Sequence, residues 1–171
     1  DLLNVAMRFL PISTVVRVLP LVNKRLRDWT RHSYAPVSYT PSLCASVAAY
    51  RSIPLVNDRF LSHIARFNSI TYADLGWCQH ITDDGVRVVA QSLRKLSTLG
   101  LCGLPKVTDA AFESIATLPE LRCLILDGVD RLTDVAFDHL ARGQCRDLLC
   151  ELSVSFCQHI TGALFYRPVI R

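Results

Sequence analysis

A hydrophobic–Thr–Asp triplet recurs along this chain at nearly constant spacing, and that recurrence restricts the fold more than any other feature. It stands at Ile81-Thr82-Asp83, Val107-Thr108-Asp109 and Leu132-Thr133-Asp134, with weaker copies at Val56-Asn57-Asp58 and Ile160-Thr161-Gly162, at intervals of 25, 26, 25 and 28 residues. A fixed period of this length means that one supersecondary unit is repeated, and a unit so small cannot bury its own apolar faces, so the units must stack.

Around each triplet the spacing of apolar residues changes from two to between three and four. Six and eight residues before the triplet's apolar residue stand Ala73 and Leu75, Leu99 and Leu101, Leu124 and Leu126, Leu152 and Val154, and at the first copy Ala48 and Tyr50. That alternation predicts a strand with one buried face. Three residues before the triplet lies a further inward position, filled by Ile53, Cys78, Leu104, Val129 and Cys157. After it, Thr or Asn is placed to cap a helix, and Asp83, Asp109 and Asp134 lie at the positive end of that helix's dipole. The helices then show apolar stripes, namely Leu61, Ile64 and Ala65; Val86, Val89 and Ala90; Phe112, Ile115 and Ala116; and Phe137, Leu140 and Ala141, at amphipathic spacing.

Two copies share the run Cys-Gln-His-Ile-Thr, at residues 78–82 and 157–161. With the strand positions, this resembles the cysteine-containing leucine-rich repeats, whose pattern is similar to Leu-x-Leu-x-x-Cys-x-x-Ile-Thr-Asp. The resemblance covers about residues 45–166 and implies an α/β leucine-rich-repeat solenoid, with short parallel strands on a concave face and helices outside. About five repeats are expected over residues 41–171, the last incomplete: Gly162 replaces Asp, and Phe165-Tyr166-Arg167-Pro168 arrives before a helix can form, an ending expected of a fragment.

Residues 1–40 read differently. Short apolar segments are separated by Pro11 and Pro20, both suited to helix starts. The order Leu2-Leu3, Phe9-Leu10-Pro11-Ile12, Val15-Val16-Arg17 and Val22-Asn23-Lys24-Arg25 resembles an F-box, the helical motif that docks on the Skp-type adaptor of cullin–RING ubiquitin ligases. Thr14, Asn23 and Leu26 stand where that family commonly has Asp, Cys and Trp. The resemblance implies adaptor contacts through Leu2, Leu3, Met7, Leu10, Pro11, Val15 and Val16. A helical cap that covers the first strand and binds nothing is the alternative reading of the same residues.

Charge supports a two-part organisation. The net charge is +4. Residues 1–34 hold six basic side chains against Asp1 and Asp28, while the remainder of the chain balances to zero. A neutral repeat region offers no electrostatic footprint for nucleic acid. The apolar stretch from Val5 to Val22 is interrupted by Arg8, Pro11, Arg17 and Pro20, which argues against a membrane span. The seven cysteines are odd in number and lack C-x-x-C spacing, so reduced thiols in the cytosol or nucleus are expected.

No catalytic, cofactor or metal motif stands out. His80 and His159 share a repeat position but are three repeats apart, and only seven glycines occur, none in a phosphate loop. The informative residues are those that alternation turns out of the concave face: Ala49 and Arg51, Asp74 and Gly76, Gly100 and Cys102, Ile125 and Asp127, Ser153 and Ser155, with Trp77 just beyond its strand. Adjacent strands lie about 4.8 Å apart, so these side chains form one patch. The small residues leave room for a partner, and Trp77 beside Arg51, Asp74 and Asp127 suits a protein hot spot; packing at the sheet edge is the other reading of Trp77. The expectation is a non-enzymatic, cofactor-free substrate receptor of an SCF-type ligase that binds a protein substrate and the adaptor, without membrane or nucleic-acid partners. The alternative is a repeat-based interaction scaffold, assembly factor or inhibitor with no ligase connection, and an enzyme would need a nucleophile or acid–base cluster that the strands do not supply.

Overall fold

The computed structural model describes residues 56–66 and 69–162, together with the backbone of Ser38–Tyr39. Within them the repeat appears as strand, turn and helix. The strands are β1 (Ser38–Tyr39), β2 (Tyr72–Asp74), β3 (Thr98–Gly100), β4 (Cys123–Ile125) and β5 (Glu151–Ser153). The helices are α1 (Asp58–Ile64), α2 (Asp83–Ser92), α3 (Ala110–Ile115) and α4 (Asp134–Arg142), with a 3₁₀ turn at Gln144–Asp147.

The strands form one parallel sheet in chain order. Ala73, Leu99, Leu124 and Leu152 are register partners across it, so equivalent repeat positions line up. Ala73, Leu75, Leu99, Leu101, Leu124 and Leu126 are buried, in one core with Val86, Val89, Phe112, Ile115, Phe137 and Leu140 from the helices. This α/β architecture, in which each helix packs on its sequence neighbours, is compatible with a repeat solenoid.

Three features depart from the sequence expectation. The strand hydrogen-bonded to β2 is Ser38–Tyr39, through Ser38 opposite Tyr72 and Tyr39 opposite Ala73, where alternation had pointed to Ala48 and Tyr50. Those two residues, with Ala49, Arg51 and Ile53, lie outside the described set. Ala141 is exposed, because the chain turns back at Gly143 and Cys145, fully buried, takes the core position. Gly143 lies so close to Ala116 that a Cβ there would collide with the Ala116 carbonyl, and the Gln144 N–H donates to that carbonyl at 2.7 Å. Leu152, Val154 and Cys157 are only half-buried.

The Asp of each triplet does more than sit at a helix start. Asp83 accepts from the backbone N–H and the hydroxyl of Thr108, one unit further on, both at 2.7 Å. Asp58 holds Thr82 in the same way, at 2.9 and 2.7 Å, as Asp109 holds Thr133, again at 2.9 and 2.7 Å. Asp134 receives the Thr161 N–H at 3.1 Å and the Thr161 hydroxyl. Each Thr oxygen in turn accepts from its own helix: Asp84 N–H at 3.2 Å for Thr82, Ala110 N–H at 3.3 Å for Thr108 and Val135 N–H at 3.2 Å for Thr133. The capping expected of Thr is therefore present, and the carboxylate links one unit to the next.

Candidate functional site

The face of the sheet turned away from the helices is the surface on which the expected partner-binding residues fall. Strand alternation puts Tyr72 and Asp74, Thr98 and Gly100, Cys123 and Ile125, and Glu151 and Ser153 on it, opposite the buried residues between them. The ladder continues past the strand ends: Leu75 N–H donates to the Gly100 carbonyl, Leu101 N–H to that of Ile125 and Leu126 N–H to that of Ser153, each at 2.8 Å. Gly76, Cys102, Asp127 and Ser155 thus extend the same surface by one row. Acidic side chains occupy Asp74, Asp127 and Glu151, and every Lys and Arg of the described residues lies on a helix or a connecting segment.

Beyond that row each unit makes one left-handed step. Trp77 (φ 63°), Gly103 (φ 60°), Gly128 (φ 68°) and Phe156 (φ 60°) occupy the same position. Their N–H groups hold the ladder: Trp77 donates to Cys102 O at 2.7 Å, Gly103 to Asp127 O at 2.8 Å and Gly128 to Ser155 O at 2.8 Å. Glycine takes this conformation freely, whereas a bulky side chain with positive φ is an outlier of the kind that concentrates at functional sites. Trp77 is tolerated because the next unit has no side chain there: a Cβ on Gly103 would lie 2.5 Å from the Trp77 ring. The ring therefore covers Gly103, yet Trp77 as a residue remains 45 % exposed, while Phe156 is 87 % exposed.

The small residues do not leave the space expected of them. Gly76 and Gly100 are buried, since the Asp74 carboxylate lies over both, with Oδ1 at 3.1 Å and 2.9 Å from where their Cβ atoms would stand. Asp74 Oδ1 also accepts the Gly76 N–H at 2.9 Å. Asp127 is held likewise, its Oδ1 accepting the Ser153 hydroxyl and the Ser155 N–H, both at 2.7 Å. These two carboxylates are pinned by the sheet and carry their charge on its open face.

Cys102 records that field. Burial pushes its thiol pKa up, the Asp127 carboxylate pushes the same way against a backbone hydrogen bond that lowers it, and Asp74 adds to the rise. Tyr72, 37 % exposed, is raised by burial, then by Asp74, Cys123 and Cys102. The Cys123 thiol is raised by burial and by its hydrogen bond with Glu151.

The sheet brings together Asp74, Gly76, Trp77, Gly100, Cys102, Ile125, Asp127, Ser153 and Ser155. Arg51 and the expected adaptor contacts Leu2, Leu3, Met7, Leu10, Pro11, Val15 and Val16 lie outside the described residues. Phe156 was not among the expected site residues, although the shared Cys-Gln-His-Ile-Thr run already aligns it with Trp77. Among the described residues no cluster of three or more His, Cys, Asp or Glu is placed to hold a metal ion, and no helix is long and apolar enough to cross a membrane.

No protein-family model matches the chain. Its structure is similar to a chain in the crystal structure of the Rad7 and Elc1 complex in yeast, with a TM-score of 0.62 and 15% sequence identity over 95% of this chain. The match takes in 40% of the neighbour's length, and at this identity what the two chains share is the fold.

Proposed function

We propose that this chain is the non-enzymatic substrate receptor of a cullin–RING, SCF-type ubiquitin ligase, built on leucine-rich repeats. The N-terminal F-box-like helices hold a Skp-type adaptor, and the open sheet face holds the protein to be modified. The observation that carries this reading is the face itself, where stacked units present an exposed Trp77 and ordered Asp74 and Asp127 side chains. Exposed aromatics beside fixed polar groups are what protein interfaces use as anchors. The fold is shared with a chain solved in a complex of two proteins, Rad7 and Elc1, which is in keeping with a fold that works bound to another protein. Buried thiols at Cys78 and Cys145 suit a reducing compartment, the cytosol or nucleus.

Co-purification of the chain with a Skp-type adaptor, with Elc1 as a second bait, tests the assignment. Adaptor capture by the intact chain and its loss in a Leu10→Asp, Pro11→Ala variant is the expected result. Capture of neither bait would overturn the ligase reading in favour of an interaction scaffold, and capture of Elc1 alone would overturn its SCF form.

A further inference from the structure

We propose that the open sheet face recognises a basic segment of the partner protein, with an Arg or Lys side chain laid against the Trp77 ring and basic side chains facing the Asp74 and Asp127 carboxylates. The proposal rests on the receptor reading above and specifies the chemistry of what is received.

Charge complementarity selects the occupant. From β2 to β5 the outward strand residues include Asp74, Asp127 and Glu151 and no basic side chain, although the chain as a whole is positive. What sets this surface apart is that its acidic side chains have no basic neighbour among the outward strand residues. Both central carboxylates are fixed before any partner arrives, Asp74 by the Gly76 N–H and Asp127 by Ser153 and Ser155. Cys102 lies just past the end of β3, between the segments that carry Asp74 and Asp127, and its small side chain leaves a floor between them. From strand spacing and residue rise, the Cα atoms of Asp74 and Asp127 are roughly 12 Å apart, too far for one cation to pair with both, so an extended segment meets them with separate basic residues.

Trp77 supplies the second, independent element. It occupies a left-handed position where two other units have glycine, and it packs on a glycine that no other residue could replace without displacing the ring. Trp77 is nonetheless among the exposed large apolar residues. An indole face attracts a guanidinium or ammonium group, the same chemistry that the acidic side chains of this surface favour.

The test is selection of a phage-displayed random peptide library on the full chain, followed by binding of the enriched peptides to variants. Asp74→Asn with Asp127→Asn retains the Oδ1 acceptors and removes the charge. Trp77→Gly installs the residue found at the same place in two other units, so it relieves the backbone while deleting the ring. Enriched peptides are expected to carry Arg or Lys, to bind less tightly as salt is raised, and to lose about tenfold or more in affinity for the double Asn variant. A loss of several-fold is expected for Trp77→Gly. Glu113→Gln with Glu120→Gln, two exposed acids away from the outward strand positions, should change nothing.

Peptides without basic residues, unchanged binding to the double Asn variant, or an equal loss in the Glu113→Gln, Glu120→Gln control would each overturn the proposal. Circular dichroism of each variant excludes misfolding as the cause of a loss. Adaptor capture on the same preparations separates the two ideas: retained adaptor with failed basic selection sinks this inference alone, and loss of adaptor from the unaltered chain sinks the receptor reading.

Discussion

Replacing Asp109 by Ala removes the acceptor for two hydrogen bonds that cross between units, from the Thr133 N–H at 2.9 Å and the Thr133 hydroxyl at 2.7 Å. Hydrogen bonds to a charged acceptor contribute roughly 1.5–3 kcal/mol each. Asp109 and Thr133 are half-buried, so the lower figure is appropriate for each, and the pair contributes about 3 kcal/mol. Thr133 keeps its own capping bond to Val135 N–H at 3.2 Å, so the loss falls on the link and not on the helix start. For a chain of this size a change of that order corresponds to a Tm lowered by roughly 6–12 °C. Urea unfolding of Asp109→Ala, Thr133→Val and the double variant measures the coupling directly, and about 1–2 kcal/mol of it should belong to the pair. Amide hydrogen exchange should accelerate at Thr133 before it does in α2. An Asp109→Ala variant no less stable than Asp130→Ala, a change at an exposed turn residue, would refute the idea that the carboxylate joins the units.

Two further outcomes follow from particular residues. Gly85 lies inside α2, where Ala would ordinarily stabilise by about 1 kcal/mol, yet a Cβ there would collide with Oδ1 of Asp58. Gly85→Ala should therefore destabilise by about 2 kcal/mol, read as a lower urea midpoint and faster exchange at Thr82. The Cys78 thiol is pushed up from 9.0 to about 12 by burial and then by Asp74. Between those values the unfolded thiol is ionised and the folded one is protonated, so stability is intact below about pH 9 and falls as pH rises toward 12, by about 1.4 kcal/mol at pH 10. Cys78→Ala should flatten that part of the alkaline profile, and an unchanged profile would show that the thiol does not contribute.

Much of the core was legible because each unit repeats one apolar pattern. Leu99 and Leu101, or Leu124 and Leu126, have no environment other than the buried face, and the fixed triplet set their register. What failed was information that one unit cannot hold. Asp83 reads as a helix-start acid because its neighbours in sequence are helix residues, while its partner Thr108 is 25 residues away. Ser38–Tyr39 is not legible in the sequence because a two-residue strand has no period, and its place in the sheet is fixed by β2. The outward residues were legible as a surface, but the occupation of Gly76 and Gly100 by the Asp74 carboxylate was not, since it depends on a side-chain rotamer reaching across to β3. Ala141 fitted the helical stripe; the burial of Cys145, four residues later, displaced it.

The Asp–Thr link has a direction. Each unit offers its carboxylate forward to the next unit's threonine, and none of these bonds runs the other way. A ribosome releases the chain in that same order, so each acceptor is made before the threonine that it binds. Growth of the stack can thus proceed as templating, each finished unit serving as the mould for the turn that follows it. The last described unit breaks the series, because Gly162 follows Thr161 and has no carboxylate to offer.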